Sequence, residues 1–244
     1  MLEHGSRLDT VTMRFGRRFT SLLDGAAPYI PRERATRVRD VMKRQVSSLE
    51  TIIGGKIKLS SNDKHIETRD GRIIPLGLMS SGQQELLPLL LALREYLFRN
   101  LLDEDVSSDL LYIEEPEAHL FPESQGDLIK YIVSVRNYIK HRSKMFITTH
   151  SPYVLATLNN LILASQISDK SDIFKKEVEK LVPIDSWLPA DDISAYAIID
   201  GRCVSIKSDF GLIDGIYLDG VSSNIVDTFD KLLEIDSTID YDVN

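Results

Sequence analysis

One stretch constrains the fold more than any other: Leu110-Leu111-Tyr112-Ile113-Glu114-Glu115-Pro116-Glu117-Ala118-His119-Leu120-Phe121-Pro122. Four apolar residues run directly into two adjacent carboxylates. A buried parallel strand delivers acids to the carboxyl edge of a sheet with this pattern, and ligands of open α/β folds bind at that edge. Pro122 suits the first turn of a helix, expected to reach about Arg142. A second apolar run, Met145–Thr149, ends in His150-Ser151-Pro152, and Pro152 opens the next helix. Strand, helix and strand at this spacing predict a parallel βαβ unit.

Upstream, residues 8–24 and 31–53 read as helices. In the second, Ala35, Val38, Val41, Met42, Val46, Leu49 and Ile53 recur at three-to-four spacing with Arg and Lys between them. Gly54-Gly55 stops it. Short runs at Lys56–Leu59, His65–Thr68 and Arg72–Pro75 follow, and Asp70-Gly71 between the last two is a hairpin signal. Ser80-Ser81-Gly82 then leads into an apolar helix over about 82–100, and an acidic linker spans Asp103 to Asp109. A second hairpin is expected over 193–206 around Asp200-Gly201, and a last helix over 222–235. These elements divide the chain into a helical lead-in with a basic helix (1–54), a core (55–165), and a C-terminal hairpin and helix packed on it (166–244).

A chain of 244 residues can bury one large core, with or without a small appendage. The longest apolar run, Leu86 to Leu93, falls far short of a membrane span and contains Pro88. The N-terminus lacks a secretory pattern, and Cys203 is the single cysteine, so neither an intramolecular disulfide nor a thiolate zinc cluster is available. The expectation is a soluble cytoplasmic protein. The net charge of −8 is uneven: residues 1–58 carry 12 Lys/Arg against 6 Asp/Glu, while residues 165–244 carry 7 against 17. The basic helix 31–44 (Arg32, Arg34, Arg37, Arg39, Lys43, Arg44) offers a phosphate-contacting or partner-docking surface. It has almost no aromatic or polar readers beside it, and the same residues favour a solvated helix packed beside an acidic neighbour.

Three motifs in series carry a family resemblance. Met79-Ser80-Ser81-Gly82-Gln83-Gln84, the strand ending in Glu114-Glu115, and the strand ending in Thr148-Thr149-His150-Ser151-Pro152 resemble the signature, Walker B and switch histidine of an ABC-type ATPase. The Glu-Glu-Pro-Glu-Ala-His-Leu-x-Pro spelling is similar to the OLD-like and RecF/SMC-like branch of prokaryotic AAA-family ATPases. The resemblance spans roughly residues 55–235. It implies an α/β P-loop NTPase core, a mostly parallel sheet flanked by helices, with its N-terminal lobe incomplete. It implies ATP and Mg²⁺ as ligands, Glu114 as the acid associated with Mg²⁺, Glu115 as the base beside the attacking water, and His150 at the γ-phosphate. Ser80, Ser81, Gly82 and Gln83 would close over nucleotide held by the opposite subunit, in a head-to-tail homodimer or with a related ATPase subunit. His119 falls in the dimer-contacting loop. An effector protein, and a role in DNA repair or anti-phage defence, follow by the same analogy.

One motif departs from that pattern. No G-x-x-x-x-G-K-[ST] phosphate loop occurs in the sequence, although phosphoryl transfer depends on such positioning. Gly54-Gly55-Lys56 has the wrong spacing, no Ser or Thr after the lysine and no strand before it. A truncation, a split gene and a natural loss all give this sequence. The ATPase reading therefore stands beside a second one, a non-hydrolysing interaction or regulatory subunit that keeps the fold. A Toprim nuclease is disfavoured, because Asp103/Asp105 and Asp240/Asp242 follow no apolar strand.

Overall fold

The computed structural model describes residues 35–59, 64–102, 109–139, 143–215 and 231–232. The expected helix 8–24, the acidic linker, Arg32, Arg34, Asp240, Asp242 and nearly all of the helix 222–235 lie outside the described residues. The chain forms two compact units, divided between Thr148 and Thr149.

The first unit is built on three helices, α1 (Ala35–Ile53), α2 (Ser81–Leu102) and α3 (Pro122–Ile139), which pack against one another. Val38, Val41, Leu49 and Ile53 of α1 are buried, as the periodicity predicts. So is Gln45, which the pattern does not single out: its amide donates to Ser134 Oγ of α3 at 3.0 Å. Gly54 ends α1 at φ 83°, a left-handed conformation open to glycine at little cost, and its N–H closes onto Glu50 O.

β1 (Gly55–Leu59), β2 (Lys64–Thr68) and β3 (Ile73–Pro75) form an antiparallel sheet in which Ile57 faces Ile66 and Ile66 faces Ile74. The β2–β3 turn holds Gly71 at φ 83°, and Asp70 accepts from Thr68 Oγ1 and from Arg72 Nε. β4 (Asp109–Glu114) and β5 (Ser143–Thr148) pair in parallel through the crossover helix α3, with Glu114 opposite Thr148.

Two expectations need correction. The sheet is not mostly parallel: the described strands form three separate sheets, and β4–β5 is the parallel one. Only a few residues of sequence separate β1 from β2 and β2 from β3, and a parallel pair needs a far longer crossover. Nor is the acid-bearing strand buried on both faces. Ile113 is buried, but Leu110, Tyr112 and Phe146 are exposed on the opposite face, where Tyr112 and Phe146 contact ring to ring.

The second unit begins with α4 (Pro152–Ser168), whose Ser151 Oγ accepts from the amides of Tyr153 and Val154. α5 (Asp172–Leu181) packs on α4 around Ala164, Val178 and Trp187, and the indole N–H donates to Val182 O. β6 (Tyr196–Ile199) and β7 (Arg202–Ser205) form the second hairpin; Asp200 and Gly201 both take positive φ, as its two-residue turn requires. Asn159 of α4 exchanges two hydrogen bonds with the backbone of Ile213. No described helix is long and apolar enough to cross a membrane.

Candidate functional site

The acids stand where β4 ends. Glu114 is the last strand residue and Glu115 the first of a tight turn. Strand alternation would send the two side chains to opposite faces, but the strand stops between them: Glu115 takes φ 41°, in the left-handed region. Glu114 and Glu115 both line one cleft of roughly 550 Å³, together with Glu85, Leu86, Leu89, Tyr112, Ile113, Pro116 and Ala118. Glu114 and Glu115 are exposed, with Pro116 and Glu117 buried behind them.

Three anchors hold the turn. At its start, the Glu115 amide donates to Thr148 O at 3.0 Å and to Thr148 Oγ1 at 3.2 Å. Inside it, the Ala118 amide reaches Glu115 O at 3.0 Å and the Leu120 amide reaches Glu117 O at 3.1 Å. At its end, the Gln125 side chain donates to Leu120 O from the first turns of α3. Left-handed backbone at a non-glycine residue costs on the order of 1–3 kcal/mol and persists where its surroundings over-determine it, a combination that concentrates at functional sites. His119, at φ 59°, is the second such residue in the turn.

The Ser80–Gln83 segment opens α2 as a capping box. Ser80 Oγ accepts from the Gln83 amide, while Gln83 Oε1 accepts from the Ser80 amide. Gln83 Nε2 also donates to Ile53 O at 2.9 Å, tying the start of α2 to the end of α1. Ser80 and Ser81 are exposed at the helix N-terminus, where unpaired amides favour anions. Gly82 is buried against the acid turn, and a Cβ there would come within 2.6 Å of His119 O. His119 Nε2 lies 3.5 Å from Glu85 Oε1 of α2. The first unit thus sets Gly82 against the turn that follows Glu114 and Glu115. His150 lies in the second unit, exposed, immediately before the cap of α4.

Glu85, Tyr112 and Thr148 complete the site and do not stand out in the sequence. Glu85 shares a helical face with Gly82, three residues earlier, which is the one signal available. Among the described residues, no three His, Cys, Asp or Glu side chains converge as a metal cluster. A nucleotide-borne Mg²⁺ does not require one, since it is held by one or two carboxylates, phosphates and water. Two carboxylates on an open cleft fit that demand. The sequence, by contrast, contains no G-x-x-x-x-G-K-[ST] motif.

A family model described as AAA ATPase domain matches residues 24–155, more than half of the chain. The matched span includes Ser80 to Gln83, Glu114, Glu115 and His150. No curated protein matches the chain. The chain belongs to the AAA ATPase domain family.

Proposed function

We propose that this chain supplies the acid edge and the signature segment of an ABC-type ATPase site, and that a phosphate-gripping element outside these 244 residues completes it. The observation that carries this reading is the placement of Glu114 and Glu115 on one cleft at the carboxyl end of a parallel strand, with Glu115 held in left-handed backbone. With Mg²⁺·ATP at this edge, Glu114 would hold the ion through its water shell, and the ion would supply charge neutralisation for the transferred phosphoryl group. Glu115 orients the attacking water and accepts its proton. His150 donates to the γ-phosphate. In a head-to-tail pair, the partner subunit's exposed serines and α2 amides meet the same phosphate, and Gln83 acts there by holding the cap.

The exposed Arg39, Lys43 and Arg44 of α1 offer a further surface for phosphates or an effector protein, and Arg44 also lies 5.9 Å from the Tyr138 ring centre. By analogy with stand-alone prokaryotic ATPases of this type, we place the module in DNA repair or anti-phage defence.

The test is ATP turnover by the assembly isolated from the native host, compared with its Glu115→Gln form. Loss of a general base lowers kcat by roughly 10²–10⁴-fold with nucleotide affinity retained. Unchanged turnover would assign the chain to the alternative, a non-hydrolysing regulatory subunit.

A further inference from the structure

The start of α2 and the turn that carries Glu115 are built as one piece, and this gives Gly82 a second task. We propose that Gly82 is a positioning residue for the Glu115 of its own chain, in addition to any contact it makes with nucleotide across a dimer. The inference rests on Glu115 being the base.

Gly82 is buried although it lies one residue into an otherwise exposed helix start. A Cβ there would sit 2.6 Å from His119 O, 3.4 Å from His119 C and 3.6 Å from Leu120 Cδ2. Closest is a backbone oxygen, which no rotamer change can move aside. Bringing it to ordinary contact at 3.4 Å takes a displacement of 3.4 − 2.6 = 0.8 Å. The turn has little slack to absorb that shift. Its far end is fixed to Gln125 and its near end to Thr148, and only Pro116, Glu117 and Ala118 separate Glu115 from His119. The hydrogen bond from the Ala118 amide to Glu115 O passes any movement of the turn to the residue held at φ 41°. On the same face of α2, Glu85 pairs with His119, so the helix contacts the turn through both backbone and side chain.

The alternative explanation of a buried glycine is a general need for close packing, under which an added methyl would loosen the whole unit. Gly77 provides the internal control. It lies five residues earlier, and a Cβ there would meet open space.

The experiment is residue-resolved amide hydrogen exchange on the full chain without nucleotide, comparing wild type, Gly82→Ala, Gly77→Ala and Glu85→Gln. In Gly82→Ala the amides of Glu115, Ala118 and Leu120 are expected to exchange at least tenfold faster, with those of β1 and β2 unchanged. Gly77→Ala should match wild type. Glu85→Gln, which adds no bulk and so remains informative if Gly82→Ala does not fold, should speed the same three amides about twofold. Wild-type rates at those amides in Gly82→Ala (or in Glu85→Gln where Gly82→Ala does not fold), or an equal rise throughout the first unit, would overturn the proposal. Exchange is read without ATP. A failed ATPase reading therefore leaves the coupling standing, and a failed coupling leaves Glu115 as the base.

Discussion

The amide of Glu115 donates to two oxygens of one residue, the carbonyl of Thr148 at 3.0 Å and its hydroxyl at 3.2 Å. The carbonyl bond extends the parallel ladder by one rung past Glu114. The hydroxyl bond is available only to Ser or Thr. Through this pair the end of β5 fixes where the second carboxylate starts, although the two residues are 33 apart in sequence. Thr148→Val should therefore remove one bond and cost about 1 kcal/mol of stability, whereas Thr148→Ser should cost less. Urea unfolding of the two variants checks the order. A valine variant as stable as wild type would show that the hydroxyl contributes nothing.

Strain at Glu115 has a sign that can be measured. An exposed acid in regular structure loses stability when replaced by glycine, because the unfolded chain gains freedom worth about 0.4–1 kcal/mol. At φ 41° glycine also relieves left-handed crowding of roughly 1–2 kcal/mol. Glu115→Gly is expected to be as stable as wild type or up to about 1 kcal/mol more stable, while abolishing turnover. A thermal unfolding midpoint well below wild type would mean that the turn carries no strain.

Gln83 holds two helices together from the start of α2. Its side-chain bonds to Ser80 and to Ile53 O are lost in Gln83→Leu, which leaves only the Ser80 hydroxyl half of the capping box and takes from the end of α1 its tie to α2. A loss of about 1–3 kcal/mol is expected from denaturant titration. A near-neutral result would show that other contacts hold α1 to α2.

Burial at Tyr131 points the other way. Its ring is almost fully enclosed among the core of the first unit, and its hydroxyl has no hydrogen-bond partner among the described residues. Burial also pushes its pKa up, beyond the range in which a phenol normally ionises. Tyr131→Phe removes a desolvated polar group at nearly constant volume, so a gain of about 1 kcal/mol is expected. Destabilisation by this substitution would reveal a partner for the hydroxyl.

The β2–β3 turn should respond to acid. The hydrogen bond from Thr68, followed by those from Arg72, holds the Asp70 carboxyl below its ordinary value of 3.8. A group with a depressed folded pKa contributes stability above its unfolded pKa and loses it as pH falls through the folded one. The stability gap between wild type and Asp70→Asn should therefore be present at neutral pH and close as the pH drops below 3.8. A gap that persists in strong acid would remove the carboxylate from the account.

Much of this was legible in the sequence, because the signals were local. Asp70-Gly71 and Asp200-Gly201 marked both hairpins, Pro122 and Pro152 opened their helices, and the spacing of Val38, Val41, Leu49 and Ile53 marked the inner face of α1. The failures came from partners distant in sequence. Leu110 and Tyr112 read as buried because they are apolar, and whether a strand face is covered depends on elements that periodicity does not reveal. Alternation predicts opposite faces for Glu114 and Glu115, but Glu115, whose amide donates to Thr148, turns into left-handed backbone where the strand ends. Glu85 differs from an ordinary surface acid of a helix only because the turn carrying His119 folds back against α2.

The most direct test of the central claim is calorimetric titration of Mg²⁺·ATP into the purified chain, alone and with a strand–phosphate-loop–helix fragment from a complete member of the family. The account predicts binding heat with the fragment present, none for the chain alone, and loss of the heat with Glu114→Ala. Tight binding by the chain alone would contradict the claim that the phosphate grip lies outside these 244 residues, and no binding in either case would contradict the nucleotide site itself.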